Sequence, residues 1–289
     1  MKLENRNAII TGANQGFGLA VAKEFVKEGA SVVICARNLS KLKEAANDLR
    51  IIAGPGQNVI TVQADVSKEK DVKRVIKNGI KELRHIDILV NNAGVYGPKG
   101  LIENIDAVEW TKAIEINLFG VFYACKYILP HMKKNKFGKI INLSGGGATN
   151  PLPRISAYAS SKAAVVRLTE TLAEEYSGYG IDINAIAPGA LNTRLLEEAL
   201  EAGPEIVGEP FYEKALKQKE AGGVPLEKGA SLCAYLASSE SNGITGKLIS
   251  AVWDPWEELG CHIEDLKNTD IYTLRRIVPQ DRGKSWGVK

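Results

Sequence analysis

The sequence predicts an α/β fold: a single doubly wound domain on a mostly parallel seven-stranded sheet, with helices on both faces. Three observations carry this. Short runs rich in Val and Ile alternate with longer amphipathic stretches over most of the chain. Several runs, such as Ser31–Cys35, are apolar without in/out alternation, as strands covered on both faces must be. A glycine-rich turn, residues 11–18, joins the first run to the first amphipathic stretch.

Taken in order, strands are expected at Asn7–Thr11, Ser31–Cys35, Val59–Gln63, Ile86–Val90, Lys139–Ser144, Ile181–Ala187 and Leu248–Trp253. The first helix, Leu19–Glu28, stops at Gly29. The second, Ser40–Leu49, opens on Ser and continues in Lys/Glu-rich turns. Ser67–Leu83 has Ser67 as its expected N-cap, charge on one face, and Val72, Val75, Ile76 and Ile80 on the other. Ala107–Lys134 and Ser156–Tyr176 are long helical patterns. Residues 190–225 carry Gly203-Pro204, Gly208, Pro210 and Gly222-Gly223 and no strand pattern, so they read as short helices on loops. Residues 254–289 keep only a weak helical pattern.

Composition excludes several classes. The 289 residues are 45% hydrophobic and 25% charged, ordinary for a globular chain and against disorder. A net charge of +3 is too small to direct partner choice, and no Lys/Arg cluster forms a nucleic-acid footprint, so no nucleic-acid partner is expected. The apolar stretches fall well short of the ~20 residues of a spanning helix, and the N-terminus has no signal-like apolar segment. The expectation is a cytoplasmic protein with no membrane partner. Four scattered cysteines, Cys35, Cys125, Cys233 and Cys261, with only three histidines, read as reduced thiols, and no metal site is expected.

The turn reads Thr11-Gly12-Ala13-Asn14-Gln15-Gly16-Phe17-Gly18. Glycines at 12, 16 and 18 let the backbone approach a pyrophosphate, and the following helix N-terminus offers free N–H groups and a positive dipole end. This points to a dinucleotide. The end of the second strand would read the ribose, where a carboxylate selects a 2′-hydroxyl. Here the sequence is Cys35-Ala36-Arg37-Asn38, with no acid and a guanidinium suited to a phosphate, so NADP(H) is preferred and NAD(H) is the alternative.

Tyr158-Ala-Ser-Ser-Lys162 opens a helical pattern and places Tyr158 and Lys162 on one face. A cation ~4 Å from the phenol, at an effective dielectric of ~20, favours phenolate by up to ~4 kcal/mol. That would bring Tyr158 into a useful range for proton transfer. With Asn91-Asn92-Ala93-Gly94 after the fourth strand, Asn117 in a long helix, Ser144 ending the fifth strand, Pro188-Gly189 with Thr193 after the sixth, and Asp65-Val66 after the third, the chain resembles the classical short-chain dehydrogenase/reductase family over residues 3–253. Within it, the 3-oxoacyl-carrier-protein reductase branch and its sugar- or polyol-dehydrogenase relatives are the nearest likeness.

The resemblance implies a Rossmann domain whose catalytic residues are Asn117, Ser144, Tyr158 and Lys162. Tyr158 would be general acid in reduction and base in oxidation. Lys162 would lower its pKa and hold the nicotinamide ribose. Ser144 would donate to the substrate oxygen, and Asn117 would hold a water linking Lys162 to solvent. Cofactor contacts would come from Gly12, Asn14, Gln15, Gly16, Phe17, Gly18, Arg37, Asp65, Val66, Asn91, Ala93, Gly94, Tyr158, Lys162, Pro188, Gly189 and Thr193. The substrate is expected to be a small carbonyl or alcohol, with residues 190–225 as its lid and Val95-Tyr96 and Pro151–Ile155 as its other walls. There the lysines Lys214, Lys217 and Lys219 read as a solvated helix face. A nucleotide-sensing protein without catalysis is the competing class, disfavoured by the intact catalytic set. An extended-branch epimerase is disfavoured by Gly16-Phe17-Gly18. The two long helices imply a homodimer or homotetramer.

Two departures stand out. Ser144 is followed by Gly145-Gly146-Gly147, which loosens the loop that carries it. Residues 254–289 lie beyond the shared core, with seven acidic and six basic residues, and three of the four tryptophans fall at 253, 256 and 286. This extension is expected to pack on the pocket mouth or on a neighbouring subunit.

Overall fold

The computed structural model describes residues 1–286. Seven strands, β1 (Asn7–Thr11), β2 (Ser31–Ala36), β3 (Val59–Gln63), β4 (Ile88–Asn91), β5 (Gly138–Leu143), β6 (Ile181–Ala187) and β7 (Leu248–Ser250), form one sheet in the order β3-β2-β1-β4-β5-β6-β7. Every neighbouring pair is parallel, so the expected mostly parallel sheet is wholly so. The order reverses between β1 and β4, and ligands of such sheets bind in the crevice beyond the carboxyl ends of the strands at that switch point.

Apolar runs without alternation become central strands because both faces are covered. All residues of β1 and β2 are buried. One face is packed by α1 (Gly16–Lys27), α2 (Leu39–Ile52) and α10 (Leu226–Ala237), the other by α3 (Glu69–Leu83), α5 (Gly120–Asn135) and α6 (Ser156–Glu175). In α3 the expected apolar face turns inward: Val72, Val75 and Ile76 are buried, Ile80 is half-buried against the same core, and Leu83 joins them.

Local rules explain the differences from the sequence reading. Ser67 does not cap α3; its hydroxyl donates to Asp65 Oδ1 at 2.7 Å, and the helix starts two residues later. The expected single helix over Ala107–Lys134 is α4 (Ala107–Ile114) and α5 joined by a π-helical turn, Glu115–Phe119, which widens the helix at Asn117. The strand expected to reach Trp253 ends at Ser250. The Ser250 N–H donates to Asp254 Oδ2 (2.6 Å), while Ser250 Oγ accepts the N–H groups of Val252 and Trp253. A local turn has replaced the ladder.

Residues 190–225 hold α7 (Arg194–Ala202), α8 (Pro204–Val207) and α9 (Glu209–Glu220), short helices separated by Gly203 and Gly208 at positive φ. After β7 the chain continues through a 3-10 stretch (Trp256–His262) and α11 (Ile263–Asn268). Trp256 is buried against Tyr235 of α10 with ring centroids 5.6 Å apart. The strap then crosses the sheet edge, where Leu248 N–H donates to Tyr272 O (2.8 Å) and Leu274 N–H donates to Glu170 Oε1 of α6 (2.6 Å). The last residues of the extension, 287–289, lie outside the described residues. Among the described residues, no helix is long and apolar enough to cross a membrane, and no group of three His, Cys, Asp or Glu side chains is placed to hold a metal.

Candidate active site

A cleft of about 1070 Å³ opens at the carboxyl ends of the strands. Its floor is the β1–α1 turn. Gly12 sits at φ +66, and an added Cβ would lie 2.9 Å from Ala93 Cα; at Gly18 it would lie 2.5 Å from Gly12 O. No side chain fits in this cradle, so bare backbone faces the cleft. Gln15 caps α1 through extended backbone, and its side chain accepts from Lys41 Nζ (3.2 Å), leaving the α1 N–H groups directed at the cleft. A close-approach floor at a helix N-terminus suits a pyrophosphate.

The cradle is held from β4. Thr11 Oγ1 accepts the N–H groups of Asn92 and Ala93 (3.0 and 3.1 Å), and Asn92 Nδ2 donates to Thr11 O and Gly12 O (2.9 and 3.1 Å). Asn91, expected in the cleft, is not there. It is buried in the sheet, where Nδ2 donates to Asn142 Oδ1 (2.8 Å), and Asn142 in turn donates to Thr169 Oγ1 of α6 (2.8 Å). Successive residues leaving a strand point to opposite faces, so Asn92 takes the cleft side and Asn91 the core side. The motif was legible in the sequence; which asparagine does which was not.

At one end of the cleft lie Arg37, Asp65 and Val66. Arg37 is exposed at the end of β2, its backbone carbonyl accepting from Gln63 Nε2 (2.9 Å). Partial burial pulls the Asp65 carboxyl up, but hydrogen bonds from Ser67 and the charges of Lys112 and Arg37 outweigh it and hold the group below the ordinary carboxylate range. Asp65 is therefore an ionised acceptor at neutral pH.

The cleft also brings Ser144, Tyr158 and Lys162 together. Tyr158 and Lys162 stand one turn apart on α6, Lys162 buried and Tyr158 half-buried. An added Cβ on Gly145 would lie 2.7 Å from Tyr158 Oη, so the phenol is pressed against bare backbone next to Ser144. Ser144 is anchored by its N–H to Ile186 O (2.8 Å), which fixes the loop that three glycines were expected to loosen. The Tyr158 ring meets Tyr96 edge-on, centroids 4.9 Å apart. Lys162 Nζ donates to Leu143 O (2.6 Å) and stands 5.6 Å from the centre of the Tyr158 ring. Asn117, in the π-helical turn, accepts from Val95 N–H (2.9 Å) and donates to Val95 O (2.9 Å) and Ser161 Oγ (3.0 Å). It thus clamps the 94–96 wall beside Lys162.

Burial sets the electrostatics differently from the Coulomb expectation. Desolvation, with a smaller contribution from Tyr96, pushes the Tyr158 phenol up from its ordinary value. Desolvation also pulls Lys162 down to about 8. Burial therefore favours the neutral phenol at Tyr158, the direction opposite to that expected from the nearby lysine. Lys162 also ties stability to pH. Between about 8 and 10.5 the unfolded chain binds a proton that the folded chain does not, so this group adds stability as pH rises through that window.

The remaining sequence-singled residues also line the cleft. Pro188, Gly189 and Thr193 lead from β6 into the lid, and the Thr193 methyl lies 3.7 Å from where a Gly16 Cβ would stand, so lid and glycine turn meet there. Gly189 (φ +101) lets Val252 pack where a Cβ would go, 2.7 Å away. Lid charges pair internally, Arg194 with Glu198 (2.7 Å) and Lys219 with Glu197 (2.9 Å). Sequence reasoning left out Asn92 and Gly145 from the site, and placed Tyr96 only as a wall of the substrate pocket, not against Tyr158. The run of glycines after Ser144 was the available signal for Gly145. The cleft wall ends at Trp253, and the described part of the extension beyond it packs on α10, α6 and the β7 edge.

A sequence model of the short chain dehydrogenase family matches residues 6–203. The chain is 37% identical over 247 residues to 3beta-hydroxysteroid dehydrogenase 1 of Eggerthella lenta, covering 84% of this chain and 91% of that protein. It is 34% identical over 247 residues to glucose 1-dehydrogenase 2 of Bacillus subtilis, covering 84% and 92%. It is also 34% identical over 254 residues to a 3-oxoacyl-acyl-carrier-protein reductase of Thermotoga maritima, covering 86% and 97%. Among solved structures, levodione reductase superposes with a TM-score of 0.79 at 29% identity, covering 90% of this chain and 99% of that one. An NAD+-bound xylitol dehydrogenase does so at 0.79 and 26%, covering 86% and 98%.

Proposed function

We propose, from the premise that this chain belongs to the short-chain dehydrogenase/reductase family, that it is an NADP(H)-dependent oxidoreductase interconverting a carbonyl and a secondary alcohol, with Tyr158 as general acid and base. Membership makes the chain an NAD(P)-dependent enzyme acting on CH–OH; the finer reading is supported by the site. Its main support is one observation: the Tyr158 hydroxyl lies against Gly145, next to Ser144, in the same cleft as the side-chain-free glycine floor. The similar proteins are named for glucose, a 3beta-hydroxysteroid and a 3-oxoacyl chain. Those share only a carbonyl–hydroxyl pair, and that shared chemistry is what is carried over.

In this reading Gly12, Gly16, Gly18 and the α1 N-terminus hold the pyrophosphate, Asp65 and Val66 flank the adenine, and Arg37 meets a 2′-phosphate. Pro188, Gly189 and Thr193 close over the nicotinamide end. The cofactor, when bound, exchanges a hydride with the substrate carbon. Ser144 Oγ donates a hydrogen bond to the substrate oxygen and orients it. Tyr158 gives that oxygen its proton in reduction, and burial keeps the proton ready at neutral pH. Lys162, one helical turn away, returns a proton to Tyr158 and steadies the transient phenolate. Asn117 fixes the wall against which both work.

A screen of reduced-cofactor oxidation against a panel of ketones and aldehydes, run with NADPH and NADH, tests the reading. Silence with every carbonyl refutes it. Faster turnover of sugars or polyols with NAD+ supports the second reading, an NAD-dependent sugar or polyol dehydrogenase, which the likeness to the NAD+-bound xylitol dehydrogenase favours.

Two further outcomes are expected. For Gly145→Ala, the added methyl must displace the Tyr158 hydroxyl, and a misplacement of ~1 Å costs on the order of 10²-fold in kcat. Steady-state kinetics with the cofactor KM as control check this; a kcat within twofold of wild type refutes the placement. For pH, Lys162 must be charged to resupply Tyr158, so kcat for reduction should be flat at low pH and fall as pH rises through about 8. A profile flat to pH ~9.5 contradicts the assigned role of Lys162.

We also propose a homodimer or homotetramer in which the α4–α5 and α6 faces pair and the extension touches a neighbouring subunit. Phe119 and Phe122 on the outer side of that region are 42% and 45% exposed. Sedimentation as a monomer at micromolar concentration would refute this.

A further inference from the structure

Of the large apolar side chains exposed on the described surface, Trp253 alone lines the cleft, and it is 85% exposed. Its backbone is pinned on both sides. Upstream, Ser250 Oγ accepts its N–H and that of Val252 (3.2 Å each), and Asp254 Oδ2 accepts the Ser250 N–H at 2.6 Å. Downstream, Trp256 is buried on Tyr235 and its Nε1 donates to Ala251 O (3.3 Å). The turn thus plugs one indole into the core and holds the other at the cleft mouth. Behind it, Val252 fills the space beside Gly189 and Val224. Leu152, Leu191 and Phe211 add apolar lining, the lining Arg194 is paired with Glu198 (2.7 Å), and Lys214 is the lysine of the lid that lines the cleft. An indole carried on a pinned backbone offers a large contact area with only two torsions to freeze.

We propose that Trp253 determines substrate specificity by stacking on a flat, largely apolar ring that the substrate carries beyond its reacting carbon. The substrate class is then ring-bearing ketones and the matching secondary alcohols, rather than short-chain carbonyls. This rests on the carbonyl–alcohol reading of the cleft. A second copy of the chain covering the same indole is the rival occupant.

The test compares Trp253→Ala and Trp253→Phe with wild type, using decalone (a fused bicyclic ketone) and butanone as probes, with sedimentation in parallel. The ratio of KM for decalone to KM for butanone is expected to rise about tenfold in Trp253→Ala, with the loss in KM rather than kcat, and to recover in Trp253→Phe. A ratio within twofold of wild type overturns the proposal. So does a smaller assembly in Trp253→Ala without a change of ratio, which assigns the indole to an interface. If neither ketone is turned over with either cofactor and the wider carbonyl panel is silent too, the carbonyl–alcohol reading fails. Decalone quenching of indole emission then decides the platform separately: quenching in wild type that is lost in Trp253→Ala supports it, and equal quenching overturns it.

Discussion

Tyr158→Phe is expected to lower kcat by about 10²–10⁴-fold, the usual contribution of one positioned general acid. The substitution removes a single oxygen. The ring keeps its edge-on contact with Tyr96 at 4.9 Å, and removing the oxygen adds no bulk against Gly145. Tyr158 Oη makes no hydrogen bond to a protein group among the described residues, so the fold loses no partner. Stability should therefore change by less than ~1.5 kcal/mol, the ordinary range for near-isosteric swaps. Thermal unfolding, cofactor binding by fluorescence and steady-state turnover together isolate the chemical step. Normal binding and unfolding with turnover within tenfold of wild type would remove Tyr158 from the mechanism.

Arg37→Asp is expected to reverse the cofactor preference. A hydrogen bond to a charged group is worth ~1.5–3 kcal/mol, so losing the guanidinium should reduce kcat/KM for NADPH by roughly 10- to 150-fold. The new carboxylate would also repel a 2′-phosphate and accept from a 2′-hydroxyl, so kcat/KM for NADH should rise. Arg37 is exposed, and its structural bond, from Gln63 Nε2, goes to the main-chain carbonyl that every residue has. Stability should stay within about 0.5 kcal/mol. A wild-type enzyme that prefers NADH, or a variant with an unaltered NADPH/NADH ratio, would overturn the assignment of Arg37.

Much of the site was readable because its signals are local. The turn at residues 11–18 becomes a floor because Gly12 and Gly18 answer close approaches and Gly16 takes a positive φ. Tyr158 and Lys162 share a helix face because of the 3.6-residue repeat. Arg37 follows β2 wherever that strand ends. What escaped depends on neighbours far away in sequence. Gly145 matters only because Tyr158 comes within reach of its α-carbon. Tyr96 was expected as a pocket wall, but its ring contact with Tyr158 is set by the fold. The exchange of roles between Asn91 and Asn92 turns on which face of the sheet each residue takes.

The sequence by itself determined the parallel α/β architecture, the glycine floor, which residues are candidates for catalysis and the likeness to one enzyme family. These follow from periodicity, steric freedom and short spacing, which are properties of contiguous residues. The tertiary structure decided three things that contiguity cannot. It set the protonation of Tyr158 and Lys162, because desolvation depends on everything packed around a group and here runs against their mutual charge. It turned the chain out of the sheet at Ser250 and left Trp253 at the mouth while Trp256 was buried. And it strapped the described part of the extension over β7 and α6, because an open sheet edge and a half-covered helix gave its main-chain and apolar groups partners.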